Sequence, residues 1–378
     1  MADVIVIGGG VVGMSAAYHL AKAGASTLLI DRHHAGRATD AGAGILSPAT
    51  GGVNLPNSWF EFGVACADYY PALIDHLRRE QAQDTGYAVC GQLTVAVSDD
   101  EIEPYQHARQ VVLERQARRG IPAKDDLDDV SSEEAQRLFP PLAPTQGAFY
   151  YRSGARVDGR MLTAALQNAA ETYQLMQKNS VVDCLIIENG QITGVVVDGE
   201  TLRAGKFIIA GGAWSAAFGE QLGVQIPVKP QRGQIIHLSL PGIDTSAWPV
   251  ITSFHGHYMV AWDDSRVVVG ATREPGAGFD PVTTVAGMQE VLGEGLRVAP
   301  GLSGAQFREI RVGLRPSTVD NLPVLGGVPG ISNLFVATGH GASGLQLGPY
   351  SGKLAADWAL NLPLETGISA FAITRFGA

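Results

Sequence analysis

The stretch from Val4 to Asp31 leaves few folds open to this chain. It begins with a run of β-formers, Val4 to Ile7, that reads as a short buried strand. Gly8, Gly10 and Gly13 follow in G-x-G-x-x-G spacing. Met14 to Ala23 then carries apolar residues at helical intervals, and Gly24 closes that helix as a C-cap. Ser26 to Ile30 forms a second strand with Asp31 at its end. Each part has a physical reason. The first glycine permits the tight turn, the second lets backbone approach a pyrophosphate, and the third lets helix and strand pack closely. Phosphates sit on the exposed N–H groups of the helix N-terminus, and an acid about 20 residues on accepts from a ribose hydroxyl. The competing reading is a glycine-rich turn in an ordinary βαβ unit; the strand, helix and acid placed around the glycines weigh against it. The motif does not by itself choose between FAD and NAD.

With 378 residues, the chain is long enough for two domains. It is 46% apolar and 17% charged, a globular composition. The net charge of −10 and the lack of any Lys/Arg-rich run disfavour nucleic-acid binding through a basic patch. An anionic substrate would be met by individual cations. Cys66, Cys90 and Cys184 are far apart, so neither a disulfide framework nor a metal cluster is expected; a reducing, cytoplasmic setting fits. His33 and His34 read as solvated loop residues, and Asp125 to Asp129 as a solvated acidic loop, so no metal site is expected. The first residues lack a basic segment, and their apolar run is the nucleotide strand rather than a signal peptide. No apolar run reaches the roughly 20 residues of a membrane span.

Further along, small residues dominate from Ala38 to Gly44, a texture that lets a flat ligand lie against backbone. Asn57 or Ser58 caps a helix running toward Tyr70, and Pro71 kinks it or starts the next one, Ala72 to Gln83. Tyr87 to Val97 alternates as a strand, and Met161 to Tyr173 is helical. Ser180 to Ile187 and Ile192 to Val197 read as strands. Lys206 to Ala210 is a strand that runs into small residues and Trp214, which suits either the wall of a nucleotide site or an α/β core. Ile235 to Leu240, Tyr258 to Trp262 and Val267 to Ala271 read as an antiparallel block, flanked by a helix from Met288 to Arg297. Near the end, Gly339, Gly341 and Gly344 repeat the G-x-G-x-x-G spacing. No strand ending in an acid follows, so the better reading is a helix N-terminus near Leu345 aimed at negative charge on a ligand.

Five segments together carry a resemblance: the opening motif, T-D-A-G-A-G-I-L from Thr39, A-G-G-A-W-S from Ala210, G-L-R-P-S-T-V-D-N-L-P from Gly313 and G-H-G-A-S-G-L from Gly339. They resemble the FAD-dependent D-amino acid oxidase superfamily, and within it glycine oxidases and bacterial D-amino acid dehydrogenases. The resemblance implies α/β plus antiparallel β architecture: a Rossmann-like FAD-binding domain with an inserted substrate domain built on an antiparallel sheet. The FAD-binding domain would comprise residues 1–86, 147–228 and 312–378, and the substrate domain residues 87–146 and 229–311. FAD would be held without a covalent bond, since relatives that attach it use a C-terminal-half Cys or a His where this chain has Ala41. The implied cofactor set begins with Gly8, Gly10, Val11, Val12, Gly13, Asp31 and Arg32. Ala38, Thr39, Ala43, Gly44 and Ile45 match the segment lining the flavin, and Val181 the position whose backbone meets the adenine. Gly339, His340, Gly341, Ala342, Ser343, Gly344, Leu345 and Gln346 match the loop at the pyrimidine end of the flavin. Arg315 matches the arginine that binds the substrate carboxylate, and Tyr258 a tyrosine of the same pocket. Glycine oxidases carry a second arginine at the position of Ala342; the departure implies a single-arginine clamp, or another cation such as Arg232 or Arg273 in its place, and leaves room for a larger side chain or a bulky N-substituent.

The implied activity is oxidation of the C–N bond α to a carboxylate, in a D-amino acid, glycine or an N-substituted glycine. Hydride passes to flavin N5, and the imine hydrolyses to keto acid and amine. Partners would be that small amino acid or secondary amine and oxygen or another electron acceptor, and a homo-oligomer is compatible. Two other classes remain open on the sequence: a non-catalytic or partner-dependent flavoprotein subunit, and an NAD(P)-dependent dehydrogenase.

Overall fold

The computed structural model describes residues 2–377. The opening motif folds as a strand, Ala2–Ile7, a helix, Val11–Lys22, and a second strand, Thr27–Asp31. Val4 to Ile7 are all buried, because their strand lies inside a six-stranded sheet covered on both faces. Complete burial of an aliphatic side chain of this size contributes about 1.5–3 kcal/mol. In order across that sheet the strands are Val324–Val328, Ile331–Thr338, Ala204–Ile209, Ala2–Ile7, Thr27–Asp31 and Met176–Asn179. All pairings are parallel except the first. The chain leaves Ala2–Ile7 toward one edge and later returns to pair its other side with Ala204–Ile209. The strand order therefore reverses at the carboxyl ends of these two neighbours, where open α/β sheets bind ligands.

Two helices start at that edge. Val11–Lys22 follows the first strand, and Gly344–Ala359 follows Ile331–Thr338 through a short 3₁₀ turn, Gly341–Ser343. They pack together, with the Ser15 hydroxyl donating to Pro349 O at 2.7 Å. The long helix Asn57–Glu80 braces the second of them: Tyr70 OH donates to Leu345 O, and Cys66 Sγ lies 3.7 Å from Leu347 O. That long helix continues through Pro71, so no second helix starts there, and Pro56 rather than Asn57 or Ser58 occupies its N-cap.

The larger sheet has nine strands, in the order Glu274–Pro275, Lys229–Ser239, Arg266–Gly270, Tyr258–Ala261, Val250–Thr252, Gln92–Ala96, Gly147–Tyr151 and Leu127–Asp129, with Gln306–Ser317 also paired to Lys229–Ser239. It is antiparallel except where Val250–Thr252 meets Gln92–Ala96. One face packs on helix Val285–Val298 through Val291 and Val298. The other carries Ile235, Val250, Val260, Trp262 and Val268 against Ala43 and Ile45 of the nucleotide unit. Expected strand Tyr87–Val97 is split by Gly91: Ala88–Val89 joins a small separate sheet and only Gln92–Ala96 joins the large one. Gly147–Tyr151 and the end of Gln306–Ser317 also lie in the large sheet, so residues at both places serve it rather than the six-stranded one. No helix among the described residues is long and apolar enough to cross a membrane.

Candidate active site

One cavity of about 420 Å³ opens at the sheet edge where the strand order reverses and extends to the inner face of the larger sheet. Of the residues singled out in the sequence, Gly8, Gly10, Val11, Val12, Asp31, Arg32, Ala38, Thr39, Ala43, Gly44, Ile45, Val181, His340, Gly341, Ala342, Gly344, Leu345, Gln346, Tyr258 and Arg315 all line it. Gly13, Gly339 and Ser343 do not. Gly13 acts from behind: a Cβ there would overlap the carbonyl oxygen of Gly8, so only glycine lets the helix sit this close to the turn.

At the nucleotide end, Asp31 stands at the tip of its strand with its carboxylate 3.6 Å from Arg37 Nη1, and Arg37 Nη2 donates to Gly9 O. Arg37 also lines the cavity and was not singled out from sequence, because nothing local marks it as Asp31's neighbour. The Val11 N–H donates to Thr39 Oγ1 at 3.1 Å. Thr39 thus caps the nucleotide helix from a segment far along the chain, and in this structure the first N–H of the helix is already satisfied. Val181 lies on an irregular segment rather than in the expected strand. Residues Met176–Asn179 instead form the edge strand of the sheet, and the Ser180 N–H donates to Asp31 O at 3.1 Å, which turns the chain across the cavity mouth. His34, expected to be solvated, packs against Trp214 with ring centroids 3.6 Å apart. Burial lowers its pKa to about 4, so it is neutral at pH 7. Phe279 of the larger-sheet unit packs tilted against the same tryptophan, with ring centroids 5.2 Å apart.

The middle of the cavity belongs to the loop and helix start from His340 to Gln346. Their orphan N–H groups and helix dipole favour negative charge. The Gln346 side chain accepts from the Ser47 N–H at 3.1 Å, while its amide nitrogen is buried without a partner; both ring nitrogens of His34 are likewise buried and unpaired. Buried polar atoms of this kind normally meet a partner, and a flavin dinucleotide offers polar edges at both places. The donor set, two helix N-termini, a ribose-ready carboxylate and unpaired polar atoms along one cavity, fits FAD.

His340 is buried and its Nε2 lies 2.9 Å from Ser351 Oγ. Burial pushes its pKa down to about 4. The unfolded chain takes up a proton near pH 6.5 while the folded chain stays neutral, so below that pH the unfolded state binds more protons and stability falls. The loss accumulates between about pH 6.5 and pH 4 and amounts to something on the order of 3 kcal/mol. Thermal unfolding of wild type and His340→Asn over that range checks this: the variant should show a shallower decline, and parallel curves would refute it.

At the far end, Arg315 lies on strand Gln306–Ser317 and folds over Gly233 of the neighbouring strand; a Cβ at Gly233 would come 2.5 Å from its Cζ. Its Nη1 donates to Thr272 O at 2.9 Å and more loosely to Gln231 Oε1 at 3.4 Å. Among the described residues, no carboxylate lies within ion-pair distance of it. Burial lowers the Arg315 pKa and raises that of Tyr258. Tyr258 therefore presents a protonated hydroxyl. Of the two candidate second cations, Arg232 is held by Glu274 at 2.6 Å and does not line the cavity. Arg273 does line it, with Nη1 donating to Gly256 O at 2.6 Å. The loop that carries Ala38 is stitched to this strand by the Leu314 N–H, which donates to Gly36 O at 2.9 Å. Among the described residues, no group of three or more His, Cys, Asp or Glu is placed to hold a metal.

The comparisons with known proteins agree with this architecture. Residues 3–358 match the family model described as FAD dependent oxidoreductase. The chain is 36% identical over 374 residues to the uncharacterized oxidoreductase YurR of Bacillus subtilis (strain 168), covering 98% of each. It is 30% identical to a glycine oxidase of Bacillus licheniformis, covering 99% of this chain and 97% of that one. The crystal structure of iminodiacetate oxidase from Chelativorans sp. BNC1 superposes with a TM-score of 0.92 at 40% identity, covering 98% of both chains. This chain therefore belongs to the D-amino acid oxidase-type family of FAD-dependent oxidoreductases, and it is an FAD-using enzyme.

Proposed function

We propose that the protein oxidises the C–N bond α to a carboxylate, and that its preferred substrates are N-substituted glycines, which yield a 2-oxo acid and a primary amine after hydrolysis of the imine. The observation that carries this reading is Arg315: a guanidinium with no carboxylate partner, beside a protonated Tyr258, at the end of the FAD cavity away from Asp31. A guanidinium fork binds a carboxylate bidentately and orients what is attached to it. FAD, when bound, supplies the acceptor for the hydride that leaves the α-carbon.

The remaining work falls to the protein. Arg315 and the Tyr258 hydroxyl hold the carboxylate and so fix the α-carbon against the flavin-lining segment Ala43 to Ile45. The apolar cluster behind that segment, Ile235, Val250, Val260 and Val268, keeps water from that wall. The helix start at Gly344 favours negative charge at the flavin end of the cavity. Ala342, which lines the same cavity, leaves room beside the amine for an N-substituent. Support from relatives is of the same kind: one is a glycine oxidase, and another acts on iminodiacetate, itself an N-substituted glycine.

The test is anaerobic titration of the FAD-loaded protein with glycine, N-methylglycine, N-ethylglycine and D-alanine, followed by flavin absorbance. Bleaching fastest with the N-substituted glycines is expected. A yellow protein that none of these bleaches, with FAD retained, would overturn the reading in favour of a partner-dependent flavoprotein. Admitting air after reduction shows whether oxygen is the acceptor.

A further inference from the structure

Among the described residues, three acids are buried: Glu101, Asp158 and Asp357. Glu101 pairs with Arg297 of the helix packed on its own sheet, and Asp357 with Lys353 one turn back in its own helix. Asp158 alone has its charged partners in the other unit. Its Oδ1 accepts from the Arg160 N–H at 2.9 Å and the Met161 N–H at 3.2 Å, and so caps helix Gly159–Thr172 in the core of the nucleotide unit. Its Oδ2 lies 3.7 Å from Arg266 Nη2 and 3.9 Å from Arg311 Nη1, both on strands of the larger sheet. Those arginines also have partners on their own sheet, Asp264 at 3.3 Å and Glu309 at 2.7 Å, both more exposed than Asp158. Two residues earlier, Arg156 Nη1 donates to Ala261 O, and the guanidiniums of Arg156 and Arg266 both lie over the Trp262 ring, at 5.0 and 4.7 Å. None of Arg156, Asp158, Arg266 and Arg311 lines the cavity.

Each end of this join leads to one half of the site. On the nucleotide side, Ala155–Arg156 pairs with Ile45–Leu46, and the Val157 N–H donates to Gly44 O at 2.9 Å. Gly159 backs the same segment: a Cβ there would come 2.1 Å from Thr39 O and 3.0 Å from Leu345 Cδ2. The residues around Asp158 therefore support the flavin-lining segment from behind. On the sheet side, Arg311 stands four residues before Arg315 on one strand, and so on the same face. Between them Gly313 meets the nucleotide unit, where a Cβ would come 3.0 Å from Ala41 Cβ. The apolar contacts of the sheet with Ala43 and Ile45 exclude water but are non-directional. A carboxylate between two guanidiniums is directional.

We propose that Asp158 is a positioning residue for the oxidation: it sets the larger sheet, and with it Arg315 and Tyr258, at one distance and angle from the flavin's seat. The proposal rests on the C–N oxidation argued above and adds the residue that aligns the two halves of the site. Arg315 and Tyr258 share the sheet, and the cofactor's seat belongs to the nucleotide unit. Loss of the Asp158 charge leaves each half intact and shifts one against the other. Without that carboxylate, Arg266 and Arg311 are like charges meeting at one buried point, and they push apart.

The test is stopped-flow reduction of the FAD-loaded Asp158→Asn enzyme by whichever of the four amines above bleaches wild type fastest, N-methylglycine on the present reading. It is joined to a titration with butyrate, read by perturbation of the flavin spectrum. Butyrate has the carboxylate and chain length of N-methylglycine, with a methylene in place of the nitrogen. Asparagine keeps the helix cap and the side-chain size and removes the charge. Misplacing reacting groups by about 1 Å costs on the order of 100-fold, so the reduction rate at saturating amine should fall roughly 10- to 100-fold. The Kd for butyrate should stay within about threefold of wild type, while the amplitude of its spectral perturbation shrinks. Arg311→Met should also slow reduction, and the double variant should be no slower than Asp158→Asn alone; effects that multiply overturn the proposal. Val291→Ala, in the helix on the opposite face of the sheet, removes core packing away from this join and should be reduced at the wild-type rate. If it slows as far as Asp158→Asn, stability alone explains the loss and the proposal falls. It falls equally if Asp158→Asn is reduced as fast as wild type, or, where that variant does not fold, if Arg311→Met is. A wild type that none of the four amines reduces overturns the C–N oxidation, and the butyrate amplitude then decides on Asp158: equal amplitudes in wild type and variant overturn it. A wild type that responds to neither amine nor butyrate overturns both.

Discussion

Gly13→Val should give a protein that no longer holds FAD. The β-carbon alone would overlap the carbonyl oxygen of Gly8 and come within 3.2 Å of Ala210 Cβ. Neither neighbour can yield cheaply, since Gly8 is the turn that follows the first strand and Ala210, just past the strand beside it, is tied by its N–H to Ile7 O at 2.8 Å. The helix would have to move off the sheet, taking Val11 and Val12 away from the cavity. Ordinary overpacking costs about 1–3 kcal/mol, and a clash with fixed backbone should exceed that range. Even about 3 kcal/mol lost from cofactor binding weakens it more than 100-fold. The expected result is a purified protein that is folded by circular dichroism, nearly colourless, and unable to quench added FAD at concentrations that saturate wild type. Gly293→Ala, in helix Val285–Val298 where a Cβ meets nothing within 4 Å, should keep its colour. Full retention of FAD by Gly13→Val would refute the assignment of this turn as the cofactor's seat.

Arg315→Ala should be the most damaging change that leaves the flavin in place. Truncating one partner of a desolvated charge pair costs about 2–5 kcal/mol, and a drop of ~100- to 1000-fold in kcat/KM for an amino acid substrate lies within that span. Most of it should appear in KM, with part in the reduction rate, because the lost fork also orients the α-carbon. Arg315→Lys should recover only a fraction, since an ammonium cannot bind both carboxylate oxygens in one plane. The visible spectrum should remain that of a bound flavin, which separates this outcome from cofactor loss. Stopped-flow reduction within threefold of wild type would remove Arg315 from the substrate site.

These two positions were open to sequence reasoning in different degrees. Gly13 sits in a motif whose geometry is local, a strand, a turn and a helix closed by contacts within a few residues, so its spacing alone predicts where it goes. Arg315 was reached through its resemblance to a motif, and its lack of a carboxylate partner became visible only in three dimensions. The same limit explains the misses. Ser180 to Ile187 has the composition of a strand, yet the first part follows the sheet edge and hydrogen-bonds to Asp31, a partner distant in the chain. His34 sits in a polar segment and reads as solvated, but Trp214 covers it. Pro71 argues for a kink or a new helix, and the helix Asn57–Glu80 continues through it as one element, its buried face held by Tyr70, Leu73, Ile74 and Leu77 in the core.

By itself the sequence determined the nucleotide unit, because a short-range pattern of glycine, β-branched residues and an acid encodes it directly, and the five segments together carried the resemblance that implied FAD and the family. The tertiary structure alone decided which cations line the cavity. Arg232 and Arg273 were equal candidates in the chain, and their surroundings separate only when strand pairing places Glu274 against the first and the Gly256 carbonyl beside the second. The state of a guanidinium depends on partners brought to it across strands and turns, and those neighbours come from register, which no residue carries on its own.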